Sequence, residues 1–594
     1  MIHGVTVRSA CPRGRIRGVT FGDGLPWDAI TVVTAKDVPH NVVALINDDQ
    51  PALADGAINH PEEPVVLLAH PSRALLEKAR AAVRIDVEPL PAVLTIDDAL
   101  AARTVVWGTD NVFKEYLVEK GDVDAALARP DVVVVEGEYV TGAQEQLYIE
   151  PNGIIAEVQR TPAGDDVTVW GSMQCPYYIQ KALMKLFDVP PERARVVQME
   201  TGGGFGGKEE YPSMIAVHAA LLARKAGAPV KIVYDRAEDM VATTKRHPSR
   251  TRHRMAVTRD GRIVAQDIDF VIDGGAYSTL SQVVLSRGAI HAAGPYDVAN
   301  VRIRARAVAT NAPPHGAFRG FGAPQSLFAL ERHVDVVARR LGMAPEELRR
   351  RNFVRRGQTL ATGQVVKEDV DMSALLDRAL AASGWAARRA RFATENARGG
   401  GVRRGMGLAT FLHGTGFTGS GEKHLASVVG AEGTAEGHVR VLAASTEIGQ
   451  GTSTIFAQIA ADAIGARYED VDVAVPDTRD VPNSGPTVAS RTCTIVGKLV
   501  EQAVRSLKAQ LLADGALTEP YDADQLGAAI RRFVGERGAL RATAEYVQPR
   551  DVSWDEVRFR GDAYGAYSWA VYVAEVAPGI GEHSSVSRLQ RVHW

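Results

Sequence analysis

Residues 202–209 read Gly-Gly-Gly-Phe-Gly-Gly-Lys-Glu, and this glycine block decides how the rest of the chain is interpreted. Five glycines in six positions leave the backbone free to adopt positive φ and to approach a ligand closely. An apolar run over 194–199 predicts a strand before the block, and the pattern over 212–227 predicts a helix after it. Because the N–H groups at a helix N-terminus lack intrahelical partners, this order favours an anion-binding site.

The block alone is compatible with three interpretations. Gly202, Gly204 and Gly207 match the G-x-G-x-x-G pattern of dinucleotide-binding folds, and the next predicted strand ends in Asp235. Asp235 lies 28 residues beyond the last glycine, whereas this fingerprint places its acidic residue about 20 residues on. A tight turn, a dinucleotide loop and a loop for another cofactor therefore all remain open.

Length and composition set broad limits on the function. The 594 residues exceed what one hydrophobic core can organise, so we expect three or more domains. A net charge of −3 gives no bulk electrostatic reason to expect a nucleic acid or a membrane as a partner. Cys11, Cys175 and Cys493 are too far apart in sequence to form an iron–sulfur or zinc motif. With no leader-like or membrane-spanning apolar run, we expect a cytoplasmic protein.

Changes of pattern along the chain predict a multidomain α/β and α+β protein. Short apolar strands and one helix predict a small α/β unit over residues 1–90, followed by a polar connector over 91–129. Alternating strands and helices predict a second unit over 130–355. A linker region over 356–404 includes a run of three glycines, and a third unit extends over 405–594.

Three further glycine-bearing segments precede predicted helices in the same way as the first block. They are GAFRGFGAPQ at 316–325, EIGQGTS at 447–453 and NSGPTVAS at 483–490. Four such loops suggest a large, phosphate-bearing ligand held between two domains, with each helix end supplying N–H donors. Glycine turns are common, but side chains such as Phe205, Arg319, Phe321 and Gln450 are seldom placed in tight turns for packing alone.

Taken together, GGGFGGKE, AFRGFGAPQ, TEIGQG and GPTVAS resemble, in this order and spacing, the molybdenum-cofactor subunit of the xanthine dehydrogenase/aldehyde oxidase family of molybdenum hydroxylases. The resemblance extends from the N-terminal unit, which is similar to the hammerhead domain of that family, to about Glu575. It implies that residues 130–355 and 405–594 are two molybdopterin-binding domains, the second one incomplete.

The resemblance also implies which residues contact the cofactor. Gln174 resembles the glutamine that hydrogen-bonds an oxygen on the metal, and amide groups suit such anionic oxygens. Four residues are expected to line the molybdenum site without being direct ligands, namely Gln174, Phe205, Arg319 and Ala489. The full set expected to hold the cofactor is Gln174, Gly204, Phe205, Gly206, Arg319, Gln450, Ala489 and Ser490.

Three residues resemble the substrate-orienting side chains of the family. Glu209 resembles the glutamate that purine-oxidising members direct at the heterocycle, and Arg287 resembles their orienting arginine, whose donors can stabilise charge on a carbonyl. Phe321 resembles an aromatic wall against which a flat substrate stacks. An exposed ion pair is the alternative for Glu209 and Arg287. The pair favours a purine-like or other N-heterocyclic substrate, such as xanthine, over an aldehyde.

The resemblance implies hydroxylation with oxygen derived from water. The electrons must leave the site, yet the chain has no cysteine motif for a cluster and no flavin motif. We therefore expect a [2Fe–2S] subunit and an FAD-binding subunit as partners in a heterotrimer. By similarity to bacterial members with separate subunits, the cofactor is expected to be molybdopterin cytosine dinucleotide.

The C-terminal segment departs from the family pattern. The family's general base is a glutamate in a downstream Gly-Val-Gly-Glu-like loop, and no equivalent is found; Glu582, in Gly-Ile-Gly-Glu, is a candidate. Residues 577–594 show neither a strand nor a helix period, so we expect a truncated second domain and little turnover by the chain alone. The alternatives are an inactive cofactor-binding or scaffold subunit and a Rossmann-type NAD-dependent dehydrogenase.

Overall fold

Five larger β-sheets and the helices packed on them organise the part of the chain that the computed structural model describes, residues 1–43, 45–399, 402–578 and 587–593. The strands are β1 Ile2–Arg8, β2 Gly14–Phe21, β3 Thr31–Val33, β4 Ala57–Ile58, β5 Pro64–His70, β6 Val83–Pro89, β7 Val112–Lys120, β8 Val132–Thr141, β9 Gly153–Thr161, β10 Gly164–Gly171, β11 Ala194–Gln198, β12 Val230–Val233, β13 Ser249–Thr258, β14 Ile263–Asp273, β15 Asn300–Val308, β16 Gly405–Gly414, β17 Val428–Gly433, β18 Val439–Leu442, β19 Val471–Val473, β20 Leu540–Glu545, β21 Trp554–Asp555, β22 Arg560–Gly561, β23 Tyr567–Pro578 and β24 Ser587–His593.

A helix follows each of the four glycine loops, as the sequence predicts. These four helices are α5, α8, α13 and α14, whose bounds are given next with those of the other helices. The helices are α1 Arg73–Ala82, α2 Ile96–Ala101, α3 Val123–Leu127, α4 Pro176–Phe187, α5 Pro212–Ala226, α6 Arg236–Ala242, α7 Ser281–His291, α8 Ala323–Leu341, α9 Pro345–Asn352, α10 Met372–Ser383, α11 Trp385–Ala397, α12 Gly421–Leu425, α13 Thr452–Ile464, α14 Gly497–Ala513 and α15 Ala523–Arg537. None of these helices is long and apolar enough to cross a membrane.

The largest sheet combines strands from the first and second predicted units, in the order β11-β10-β9-β12-β1-β5-β3. Strand β1 pairs in parallel with β12, with Ile2 opposite Val230. Helices α4 and α5 cover this sheet with fully buried side chains such as Leu183 and Leu222. Residues 1–90 and 130–355 therefore share a sheet, and the predicted boundary at residue 90 does not coincide with a sheet edge.

The order of this sheet explains why the Rossmann interpretation is wrong. A dinucleotide fold needs the strands on either side of the glycine loop and its helix to lie parallel in one βαβ unit. Here β9 and β10 separate β11 from β12, and β9 runs antiparallel to β12. Asp235 is also engaged, because its side chain accepts a hydrogen bond from Glu238 N and caps α6.

A five-stranded sheet, β7-β15-β14-β13-β8, is packed with α7 and α8. Its edge strand β7 lies inside the predicted connector 91–129 and pairs with β15, with Lys120 opposite Val301. The prediction of a polar connector overlooked this strand because Lys114, Glu115 and Glu119 occupy its exposed positions. Because Lys114 and Glu115 are adjacent, exposed polar residues lie on both faces of this strand and interrupt its apolar alternation.

The last predicted unit contains a four-stranded sheet, β19-β18-β17-β20, packed with α13 and α14, and a three-stranded sheet, β16-β23-β24. The expectation that 577–594 lack a strand is wrong for 587–593, because β24 pairs antiparallel with β23. Backbone pairing with a neighbouring strand can form an edge strand whose own sequence does not alternate.

Direct contacts join the last unit to β11 beside the first glycine block. Gln198 N donates to Pro476 O at 2.9 Å, and Gln198 Nε2 donates to Glu447 O at 2.7 Å. Arg195 forms a two-oxygen ion pair with the buried Asp477. These contacts bring the loop that precedes α13 next to the loop that follows β11.

Candidate functional site

The four glycine loops surround one cavity of about 570 Å³. This volume lies in the range of small-molecule and cofactor sites. The structure brings together every site residue that the sequence predicts within the described part of the chain, and all of them line this cavity: Gln174, Gly204, Phe205, Gly206, Glu209, Arg287, Arg319, Phe321, Gln450, Ala489 and Ser490. Glu582, the candidate base, lies outside the described residues.

Several non-glycine residues on the cavity wall have strained backbone conformations. Phe205, Phe321, Ala489 and Ser490 have φ values of 53°, 51°, 58° and 52°. A non-glycine residue in this left-handed region costs free energy of order 1–3 kcal/mol, and such residues concentrate at functional sites. Strain in three different loops that line one cavity supports its assignment as the ligand site.

Gln174 links two walls of the cavity through its side-chain amide. Its Oε1 accepts hydrogen bonds from Gly206 N at 2.9 Å and Lys208 N at 3.3 Å, while its Nε2 donates to Thr487 O at 3.1 Å. One N–H of the amide is left without a partner among the described residues. Gln174 can therefore hold the loops together and still donate a hydrogen bond to an anionic oxygen in the cavity.

The glycines of the first block permit close contacts that a side chain would prevent. A Cβ atom on Gly204 would lie 2.4 Å from Gln174 Oε1, and one on Gly206 would lie 2.8 Å from the Ala317 backbone. Gly206 also has a φ of 101°. Two cavity walls thus touch at the positions where only glycine fits.

Gly206→Ala is expected to destabilise the protein by about 2–5 kcal/mol, because left-handed strain and a backbone clash act together. Because the motifs predict a molybdenum cofactor, we also expect a lower molybdenum content in the purified variant, measured by elemental analysis alongside denaturant unfolding. Gly357→Ala is the matched control, since Gly357 has a φ of 85° with nothing within 4 Å of an added Cβ. Equal losses of stability in the two variants, with molybdenum retained, would contradict the prediction.

The same cavity is also lined by Arg287, whose side chain is held in a fixed position. Its Nη2 donates to Gly416 O at 2.5 Å and its Nη1 to Gly414 O at 3.4 Å, and its guanidinium lies 5.2 Å from the Tyr564 ring centroid. Arg287 is 3% exposed and has no carboxylate partner within ion-pair distance among the described residues. Its remaining N–H groups are available to a ligand.

Glu209 and Glu210 are consecutive buried carboxyl groups in different cavities. Glu209 lines the large cavity, whereas Glu210 lines a small inner one of about 40 Å³. Burial, reinforced by Glu210, raises the pKa of Glu209 well above its usual value although Arg287 opposes the shift. Burial also raises the pKa of Glu210 to about 7. The raised pKa favours the protonated form of Glu209, which can donate a hydrogen bond. Glu209 and Arg287 are both 3% exposed and form no ion pair with each other, so the exposed ion pair is the wrong interpretation.

The 316–325 loop is anchored through its backbone. Arg319 N donates to Phe205 O at 2.9 Å, and Arg319 O accepts from Arg246 Nη2 at 2.9 Å. The Arg246 guanidinium also lies 4.0 Å from the Phe318 ring centroid. The exposed Arg319 side chain forms no hydrogen bond or ion pair with the described residues, so it is free to bind an anionic group.

The helix end at α13 differs from the expectation that every helix end supplies N–H donors to a ligand. The Glu447 carboxylate accepts hydrogen bonds from Gly449 N, Gly451 N and Ser453 N at 2.8–3.1 Å. Gln450 is also occupied, with Oε1 accepting from Ile448 N and Nε2 donating to Thr446 O and Thr452 Oγ1. The Glu447 carboxylate therefore occupies the N–H donors at the start of α13, and it competes with any external anion for them.

Glu447→Gln is expected to destabilise the protein by about 1 kcal/mol at pH 7. Partial burial alone would raise the pKa of Glu447, but the backbone N–H donors outweigh it and lower the pKa below 4.5. The carboxylate therefore contributes stability above pH 4.5, and this contribution is lost as the pH falls through the lowered pKa. Denaturant unfolding of both proteins between pH 3 and 8 tests this; a difference that persists unchanged at the acid end would contradict it.

Sequence analysis missed three residues that line the cavity or lie next to its loops. His413 lines the cavity, and Arg491, which follows Ser490 in the chain, forms a buried ion pair with Glu422. His413 lies at the end of an apolar strand and precedes Gly-Thr-Gly, and this pattern could have indicated a residue at a cavity wall. Arg491 and Glu422 had none, because 69 residues separate them in sequence.

Glycine loops with strained walls around one large cavity define a cofactor-binding protein, and its described fold is that of a molybdenum hydroxylase large subunit. Two models of the molybdopterin cofactor-binding domain match residues 108–353 and 378–583. The chain therefore belongs to the family of molybdenum-cofactor-binding oxidoreductases that the motifs resemble.

Individual relatives agree with this assignment. A probable xanthine dehydrogenase component of Bacillus subtilis (strain 168) is 32% identical over 521 residues, which cover 86% of this chain and 67% of that protein. The nicotinate dehydrogenase large molybdopterin subunit of Eubacterium barkeri is 33% identical over 382 residues, covering 64% of this chain and 88% of that protein.

Solved structures show the same architecture. The aldehyde oxidoreductase of Desulfovibrio gigas superposes with a TM-score of 0.86 at 26% identity, covering 100% of this chain and 64% of that one. This chain thus spans less than two thirds of that protein, and about two fifths of the xanthine dehydrogenase/oxidase of rat.

Proposed function

We propose that this chain is the molybdenum-binding subunit of a hydroxylase that oxidises N-heterocyclic substrates, with purine-like molecules such as xanthine as the first class to test. The observation that carries the proposal is the arrangement of Glu209 and Arg287, two buried groups that line one cavity without an ion pair between them. A carboxyl group whose pKa is raised favours the protonated form and can then donate to a ring nitrogen, while a fixed guanidinium can donate to a ring carbonyl oxygen. Phe321 offers its ring to a flat substrate in the same cavity.

The residues present fit a molybdenum–pterin group in the cavity. The unpartnered N–H of Gln174, the close glycine contacts and the free Arg319 side chain suit a large anionic ligand. When bound, the group supplies an oxygen derived from water and accepts the electrons of the substrate. Gln174, Phe205, Gly206, Ala489 and Ser490 would hold it, while Glu209, Arg287 and Phe321 would orient the substrate.

The finer features of the assembly are part of the same proposal. The cofactor is proposed to be the cytosine dinucleotide form of molybdopterin. A [2Fe–2S] subunit and an FAD-binding subunit are proposed as partners, because the cysteines of this chain have no cluster-binding spacing and the electrons need an exit. The relatives that are named as single subunits support this division of labour.

The test is to co-express the chain with such partner subunits and to analyse the purified complex. We expect stoichiometric molybdenum with a pterin, and dye reduction that depends on xanthine or hypoxanthine. Nicotinate and benzaldehyde belong in the same panel, since relatives are named for nicotinate and for aldehydes. Turnover of aldehydes alone would overturn the substrate class, and a molybdenum-loaded complex without turnover of any compound would favour a scaffold role.

A further inference from the structure

His413 stands at the C-terminal end of β16, on the cavity wall that also contains Arg287 and Phe321. Its ring is stacked on the ring of His291, with centroids 5.2 Å apart and an angle of 29° between the planes. The two histidines differ in their surroundings, and that difference indicates what His413 can do.

His291 is fully engaged by the protein. Its Nδ1 donates to Arg287 O at 2.7 Å, and its Nε2 accepts a hydrogen bond from Gly414 N at 3.1 Å. The ring is 0% exposed, and both of its nitrogens are satisfied in a neutral tautomer. His291 therefore serves to connect α7 to the end of β16.

His413 is bound much more loosely. Its ring forms one long hydrogen bond with the described residues, from Nε2 to Gly320 O at 3.4 Å. A carbonyl oxygen only accepts, so Nε2 carries the proton. A contact of this length is weak, and an oxygen atom of a ligand in the cavity can take its place at little cost.

The charge on the ring is set by its neighbours. Burial, reinforced by Arg287, lowers the pKa of His413 to about 4, although the carbonyl oxygens of Gly320 and Gly414 act in the opposite direction. At neutral pH the ring is an uncharged hydrogen-bond donor beside a cationic one. His413 and Arg287 are both connected to Gly414. His413 precedes Gly414 in the chain, and Gly414 O accepts a hydrogen bond from Arg287 Nη1 at 3.4 Å.

We propose that His413 is a specificity-determining residue whose Nε2–H donates a hydrogen bond to an oxygen atom on a heterocyclic substrate bound by Arg287. The inference rests on the proposed function and adds the substrate subclass: heterocycles with a ring carbonyl oxygen are preferred over the same ring without one. One neutral hydrogen bond contributes about 0.5–1.5 kcal/mol, which corresponds to about a twofold to twelvefold preference.

The test measures binding by calorimetry to the assembled complex after chemical reduction, so that no turnover occurs. Hypoxanthine carries the ring oxygen, and purine lacks it. We expect His413→Phe, which keeps a ring on His291, to weaken hypoxanthine binding up to about tenfold and to leave purine binding unchanged. His413→Gln keeps an N–H donor and is expected to retain most of the affinity. His438→Phe, at a partly exposed site outside the cavity, is the control.

The same experiment separates this inference from the proposed function. If the wild-type complex binds and oxidises heterocycles while His413→Phe weakens both ligands equally or neither, the role of His413 is overturned and the proposed function stands. Loss of molybdenum in both His413 variants indicates a structural role and also overturns the inference. If the wild-type complex binds no heterocycle, both proposals fail.

Discussion

Arg287→Met is expected to lower kcat/KM for xanthine or hypoxanthine by about 100- to 1000-fold while molybdenum content stays at the wild-type level. In the proposed function the Arg287 guanidinium donates to a substrate carbonyl oxygen on which charge develops, and removing one such preorganised donor costs about 3–4 kcal/mol of transition-state stabilisation. Methionine has similar length and no donor, so it removes the hydrogen bonds without leaving a large void.

Two comparisons make the Arg287 prediction specific. Arg287→Lys keeps the charge but loses the planar fork, so its loss should be intermediate. Purine, which lacks a carbonyl oxygen, should lose much less activity with Arg287→Met than hypoxanthine does. Equal losses for the two substrates would show that Arg287 only supports the Gly414–Gly416 segment through its carbonyl contacts.

The glycine loops and their helices could be predicted from sequence because their signals are local. A strand, a glycine block and an apolar helical period occupy consecutive residues, and 202–227 contains all that is needed for the loop before α5 and for α5 itself. The resemblance of the four motifs then indicated which side chains line one cavity. Phe205 and Phe321 are two of these side chains. Composition alone shows neither their strained φ values nor that they line the same cavity.

The remaining features depend on contacts between distant segments. Arg287 is fixed by Gly416, 129 residues away, and the carboxylate of Glu447 blocks a helix end that the glycine pattern alone left open. Strand β7 pairs with β15, and exposed polar residues on both of its faces conceal it in the sequence. Such pairings leave no periodic trace, so they require the three-dimensional structure.

Arg491→Met is expected to destabilise the protein by about 3–5 kcal/mol, the largest stability loss that we predict for a side-chain contact. Arg491 is 0% exposed, and its Nε and Nη2 contact both oxygens of the buried Glu422 at 2.9–3.1 Å. It also donates to Ser484 O at 2.7 Å and Ser427 Oγ at 2.6 Å. Removing the guanidinium leaves a carboxylate buried without its partner, and that uncompensated charge causes most of the loss.

Denaturant unfolding of Arg491→Met, Arg351→Met and Arg491→Met with Glu422→Gln separates the causes. Arg351 pairs with Glu347 at 2.8 Å, but both side chains are about 40% exposed, so its loss should stay below about 1 kcal/mol. The double variant should recover part of the stability, because no unpaired charge remains buried. Hydrogen exchange at 484–491 should rise in Arg491→Met, since Arg491 connects the strained Ala489 and Ser490 to α12. If Arg491→Met costs no more than Arg351→Met, the buried pair does not hold this cavity wall, and the strain at Ala489 and Ser490 must be supported by the rest of the loop.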